Sequence, residues 1–174
     1  MDIHKIPDNT IVFISGASGV GKTTIARKIL EYIPEIIVIE EIDLIREAIR
    51  SNNQSVEAKL LNSKLNLNPQ QIEAILNTNL INKSTSELSI NEIELQSELL
   101  LEPLIMVCKR LQEKALPAII EGVNLSFRQL LLSDYFDFSN MFFINLYSSD
   151  EKRHKERIDM RCKKRSTKNI SLEN

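Results

Sequence analysis

Ile11-Val12-Phe13-Ile14-Ser15-Gly16-Ala17-Ser18-Gly19-Val20-Gly21-Lys22-Thr23-Thr24 is the stretch on which the fold turns. Its first four residues are an apolar run bounded by Asn9-Thr10 and Ser15-Gly16, the pattern of a strand buried in a parallel sheet. A helical repeat follows: Ile25, Ile29, Leu30 and Ile33 recur at helix spacing from Lys22 until Pro34 stops them. Between strand and helix, Gly16 to Thr23 matches G-x-x-x-x-G-K-[ST], and three of the chain's four glycines lie in it. Glycines let the backbone wrap around phosphate oxygens, so that successive N–H groups and the positive helix end face the anion. Gly16, Ala17, Ser18, Gly19, Val20 and Gly21 are therefore expected to cradle a nucleotide's phosphates. Lys22 would reach the outer ones and the Thr23 hydroxyl would ligate Mg²⁺, with Thr24 beside them but not needed for the metal. A turn that merely joined strand to helix would require neither the lysine nor the hydroxyl.

Outward from this stretch the same alternation continues. Ile36-Ile37-Val38-Ile39 reads as a second strand, ending in Glu40-Glu41. Ile42, Ile45, Ala48 and Ile49 then mark a helix whose other stripe carries Asp43, Arg46, Glu47 and Arg50. Residues 51–90, rich in Asn, Gln, Ser and Leu, read as a helical insertion. Its helices are expected near 55–65 and 70–81, and its loop at Asn82-Lys83-Ser84-Thr85-Ser86. A long helix is expected from Asn91 to Lys114, kinked or split by Pro103. Pro117 to Gly122 and Met141 to Tyr147 read as the third and fourth strands, and Asp150 to Lys168 as a cation-dense helix. Strands joined by helical crossovers predict an α/β layered fold with a mostly parallel sheet, whose ligands bind beyond the strands' carboxyl ends.

Composition narrows the function classes. The 174 residues suit one domain, 1–174, and at 43% hydrophobic and 26% charged they exclude a disordered tail or a fibrous repeat. No apolar run approaches the roughly 18 residues of a membrane span, and Met1 to Lys5 lacks a signal peptide's apolar core, so a cytoplasmic protein is expected. Cys108 and Cys162 have no paired spacing, which argues against a disulfide framework or a thiolate metal site. Net charge is only −2, yet residues 150–168 hold nine Lys/Arg against four Asp/Glu. A global nucleic-acid binder is disfavoured, while a local cationic segment invites phosphate.

Phosphoryl transfer also needs a group that orients the attacking oxygen. Asp43 follows the second strand's carboxyl end, on the phosphate loop's side of the sheet, and is the favoured group. Arg46 and Arg50, three and seven residues on, could bind an anionic acceptor. Glu121 closes the third strand, where a carboxylate could hold the metal or an acceptor hydroxyl, with Asn124 a weaker polar candidate. Arg153, Arg157 and Arg161, at four-residue spacing, could close over the transferring phosphates as a lid across 150–168. His154 reads as a surface or lid residue rather than a general base.

These stretches together resemble P-loop kinases of the 2-phosphoglycerate kinase family, related to zeta-toxin-like and polynucleotide-kinase-like phosphotransferases. The likeness rests on Ile14 to Ala26, Asp43 to Arg50, Ile119 to Leu125, and Asp150 to Arg157 continuing to Arg161. The first is generic to P-loop proteins; the other three, in this order, are more specific. The resemblance implies a P-loop NTPase/kinase three-layer sandwich with an Arg-rich lid. It implies ATP and Mg²⁺, transfer to a hydroxyl of a small phosphorylated acid such as 2-phosphoglycerate, Asp43 as base or hydroxyl-orienting group, and Arg46 on the acceptor's anion. Family members usually continue beyond the lid, so a sheet lacking its last elements is expected for a chain stopping at Asn174. Two rivals remain: the same fold acting on a nucleotide sugar, a nucleoside or a nucleic-acid 5′ hydroxyl, and a nucleotide-binding module without transfer.

Overall fold

A computed structural model describes residues 5–51, 68–77, 90–134 and 138–170. The apolar run becomes β1 (Ile11–Gly16), in which Ile11 to Ile14 are all buried. Only a strand covered on both faces buries odd and even side chains alike. Helix α1 (Lys22–Tyr32) supplies one cover, packing Ile25, Ala26, Ile29 and Leu30 with Val12, Ile14 and Ile119. The other cover comes from α2 (Ile42–Ser51), α4 (Ile90–Glu113) and α5 (Phe127–Leu132). Through Ile42, Leu100, Leu104, Cys108, Leu111 and Leu130 these close on Ile11, Phe13, Ala118 and Ile120. The protein is thus α/β, with helices on both faces of the sheet.

All four strands are parallel, β2 (Val38–Glu41), β3 (Ala118–Gly122), β1 and β4 (Met141–Leu146) lying side by side in that order. Four carboxyl ends therefore face one side. Glu41 stands level with Glu121, Ser15 with Gly122, and Gly16 with Leu146. Helix α3 (Pro69–Asn77) is capped by an exchange in which the Gln71 N–H donates to Asn68 Oδ1 and the Asn68 N–H to Gln71 Oε1. It packs Ile72 and Leu76 on Leu99. The last described element is α6 (Glu151–Ile170). No helix among the described residues is long and apolar enough to cross a membrane.

Several boundaries depart from expectation. The second strand begins two residues late, leaving Ile36 and Ile37 in the connection and placing Glu40 and Glu41 inside the strand. Pro103 neither splits nor ends its helix, which runs unbroken for 24 residues. Apolar packing on both sides of the proline, from Leu99, Leu100, Leu104, Ile105 and Cys108, outweighs the one missing hydrogen bond. Helix α5 has no counterpart in the sequence reading, although Ser126-Phe127-Arg128-Gln129 carries a capping signature whose Ser126 Oγ accepts from the Gln129 N–H. The helix expected near 55–65, residues 78–81 of the next, and the loop at 82–86 lie outside the described residues. Neither cysteine is in a disulfide, and burial pushes the Cys108 thiol up to about 12.

Candidate functional site

The loop between β1 and α1 is shaped by where its neighbours leave room. Gly16 has φ +144°, and a Cβ there would strike the Leu146 carbonyl at the end of β4. The close β1–β4 approach therefore admits no side chain. Gly21 caps α1 at φ +105° with open space around it, so its requirement is conformational. The helix has no side-chain cap and no acidic residue in its first turn. Its leading N–H groups and positive end are left for an external anion.

A cavity of about 90 Å³ opens at this end, lined by Ser18, Lys22, Thr23, Glu41, Asp43, Glu121, Gly122, Val123 and Arg161. The strand order explains the gathering. Glu41 and Glu121 are level on neighbouring strands, Asp43 lies in the first turn after β2, and Lys22 and Thr23 open the helix after β1. Two hydroxyls secure the rim: Ser15 Oγ donates to the Leu125 carbonyl (3.0 Å) and Ser97 Oγ to the Asn124 carbonyl (2.8 Å).

Lys22 Nζ donates to the carbonyls of Gly16 (2.8 Å) and Ala17 (2.9 Å). Burial lowers its pKa to about 8, against the pull of the Glu121 and Asp43 carboxylates. Glu121 is 3% exposed, and neither carboxylate oxygen has a hydrogen-bonding partner. Burial raises its pKa; the Thr23 hydroxyl, near the carboxylate but outside good hydrogen-bonding geometry, and the Lys22 ammonium oppose that rise. An unmatched buried carboxylate is costly unless something completes it. With the Thr23 hydroxyl it makes a hard-oxygen pair suited to Mg²⁺, which keeps most of its waters and takes one or two protein ligands beside phosphate oxygens. Among the described residues no group of three or more His, Cys, Asp or Glu is placed to hold a metal ion.

Helix α6 lies across the loop because β4 is the neighbour of β1, so the chain leaving β4 rises beside the chain leaving β1. Arg161 Nη1 donates to Ser18 Oγ (3.3 Å) and Arg157 Nη1 to the Gly19 carbonyl (3.5 Å). His154, expected to be a surface or lid residue, is fully buried, its Nε2 2.6 Å from the Ser18 carbonyl. The face on the loop is thus His154, Arg157, Ile158 and Arg161, the i, i+3, i+4, i+7 stripe. Arg153 is off it, exposed and paired with Asp150.

The anion-binding pair expected on α2 is not part of the cavity lining. Arg46 shares the buried face with Ile42, four residues back, and its Nη2 lies 3.5 Å from Asp43 Oδ1 and 3.2 Å from Glu47 Oε1. Arg50 is half-exposed, paired with Glu47 (2.6 Å) and bonded to Asn77 Oδ1 (3.4 Å). Asn124 is buried behind the rim, and its side-chain amide has no partner. Thr24 is exposed on α1. The sequence reading did not single out Ser15, Ser97 or Glu41, and it gave His154 no contact with the glycine loop. Only Glu41 had a usable signal, as the last residue of a strand beside another strand ending in glutamate.

Neither a family model, nor a curated protein, nor a solved structure matches this chain. Its function is therefore read from the chemistry of the cavity.

Proposed function

We propose that this chain is a cytoplasmic ATP-dependent phosphotransferase of P-loop kinase type, moving the γ-phosphoryl group to a hydroxyl of a small phosphorylated acid such as 2-phosphoglycerate. The observation that carries this reading is the meeting of Lys22, Thr23, Asp43 and the unmatched Glu121 in one cavity at the mouth of a glycine loop. A cavity of about 90 Å³ suits a phosphoryl group and its surroundings, far below the roughly 300–1,000 Å³ that engulfs a whole ligand, so the nucleoside would lie outside it.

Transfer of a phosphoryl group depends mainly on positioning and on stabilising spread negative charge. Lys22 would exchange its two loop carbonyls for the outer phosphate oxygens, keeping its charge matched. Thr23 and Glu121 would hold Mg²⁺, which when bound supplies charge neutralisation on the phosphates. Asp43, on the acceptor side, would accept the hydroxyl's hydrogen bond and then its proton. Arg161, already at the cavity wall, and Arg157 beside it would swing from the loop to the transferring group.

One observation favours a second acceptor class. Arg46 and Arg50 are both occupied by carboxylates, and the acceptor side of the cavity carries Glu41 and Asp43. A neutral polyol such as a nucleoside meets no repulsion there, whereas an anionic acid would have to draw Arg46 out of its pairs. Labelled ATP, Mg²⁺ and a panel holding 2-phosphoglycerate, nucleosides and nucleotide sugars, read by mass, separates the two. Bound nucleotide without any phosphorylated product would leave a binding module instead. In the same assay Asp43→Asn should lower turnover about 10²-fold or more while MgATP affinity stays within about threefold. Unchanged turnover would remove Asp43 from the chemistry.

A further inference from the structure

A loop that binds phosphate through its N–H groups must turn its carbonyls away from the anion. Each outward carbonyl that is buried then needs a donor. At the crest of this loop that carbonyl belongs to Ser18, and the donor is His154: Nε2 lies 2.6 Å away, on a side chain with no exposed surface. A carbonyl only accepts, so the ring must carry its proton on Nε2. The helix that carries the imidazole is fixed at its start. Asp150 caps α6 by accepting the Arg153 main-chain N–H on Oδ1 (3.0 Å), and the His154 main-chain N–H donates to the Asp150 carbonyl (3.0 Å). Gly19, next in the loop, sits against the same face: a Cβ there would lie 3.5 Å from Ile158 Cγ1 and 3.7 Å from the His154 ring.

The other two polar contacts from α6 differ in kind. Arg157 and Arg161 are long, exposed side chains reaching Gly19 and Ser18 at 3.5 and 3.3 Å, free to leave for a ligand. His154 is short, buried and locked in a helix, and it touches a carbonyl that no phosphate replaces. We propose that His154 is a positioning residue for the phosphate loop. Its Nε2–H holds the Ser18 peptide with the carbonyl outward and the following N–H groups inward before any nucleotide arrives. Binding then does not have to order the loop. The proposal rests on the nucleotide-phosphate reading of the loop.

The test is calorimetry of MgATP with the full chain as wild type, His154→Phe and His154→Gln. Phenylalanine keeps the ring's bulk and loses the donor; glutamine restores an N–H at similar reach. If the receptive loop falls to about a tenth of the population without the donor, His154→Phe binds MgATP about tenfold more weakly, and His154→Gln returns to within about threefold of wild type. Equal affinity in His154→Phe overturns the proposal and leaves the nucleotide reading standing. A glutamine variant as weak as phenylalanine also overturns it, since packing alone would then be at work. Absence of MgATP binding by the wild type removes the nucleotide reading, and the proposal with it. Should His154→Phe fail to fold, ¹⁵N NMR of the wild type decides. The chain has two histidines, and a His4→Gln variant assigns them. The free protein should show a slowly exchanging Nε2–H from His154 that persists when MgATP is added; its absence in the free protein overturns the proposal.

Discussion

In the proposed function Lys22 must be charged to meet phosphate, yet its burial works against that charge. With its pKa lowered to about 8, the ammonium is largely protonated in the free protein at pH 7 and largely neutral at pH 9. Phosphate oxygens placed against it would raise the value again. Below about pH 8 MgATP affinity should therefore be level. Above it, binding takes up a proton and Kd should rise by up to tenfold per pH unit. Calorimetry at pH 7 and pH 9 in two buffers of different ionisation heat would show this as a buffer-dependent enthalpy at pH 9 only; none at pH 9 would put Lys22 outside the binding event. Residue positions were legible to unequal degrees. The place of Lys22 and Thr23 at the start of α1, beside the glycine loop, could be read because the motif fixes their local spacing. Arg46 could not, since its place beside Ile42 on the buried face and its pairing with two carboxylates depend on what α2 packs against.

At the scale of elements, the hydrophobic period announced most helices and strands, and packing decided their ends. Pro103 shows the balance. Its sequence context predicts a kink or a split; the helix is not split, because the buried stripe of α4 continues through the proline, so it tolerates the missing donor opposite Leu99. Pro103→Ala should restore that hydrogen bond and stabilise the protein by about 1–3 kcal/mol, read as a higher melting temperature. An unchanged or lower midpoint would mean that the helix gains something from the proline. Helix α6 gives the complementary lesson. Its cations are plain in the sequence, but four-residue spacing alone groups Arg153 with Arg157 and Arg161. The contacted stripe replaces Arg153 with His154, because the helix is rotated by Ile158 seating on Gly19.

For the whole molecule, the decisive feature is how closely β3 and the start of α2 approach. Any Cβ at Gly122 would collide with the Cγ2 of fully buried Ile42, so Gly122→Ala should cost about 1–3 kcal/mol by overpacking. That corresponds to a melting temperature lower by roughly 2–12 °C in a chain of this size. A wild-type midpoint would show that the two elements can part freely. From residues in order one could read a strand, a phosphate-shaped turn and a helix, then further strands and helices in alternation. Glycine placement and apolar periodicity are local properties, carried by neighbours along the chain. Which charges meet is not local. Glu41 stands beside Glu121, and His154 beneath the Ser18 carbonyl, only because the strands lie in the order β2, β3, β1, β4 and bring together residues about 80 and 136 positions apart. Arg46 leaves the cavity because α2 must bury one face against β3 and α4. Spacing in sequence specified the cradle; the folding of distant segments onto one sheet edge specified what surrounds it, because burial and electrostatic pairing act through space and not along the chain.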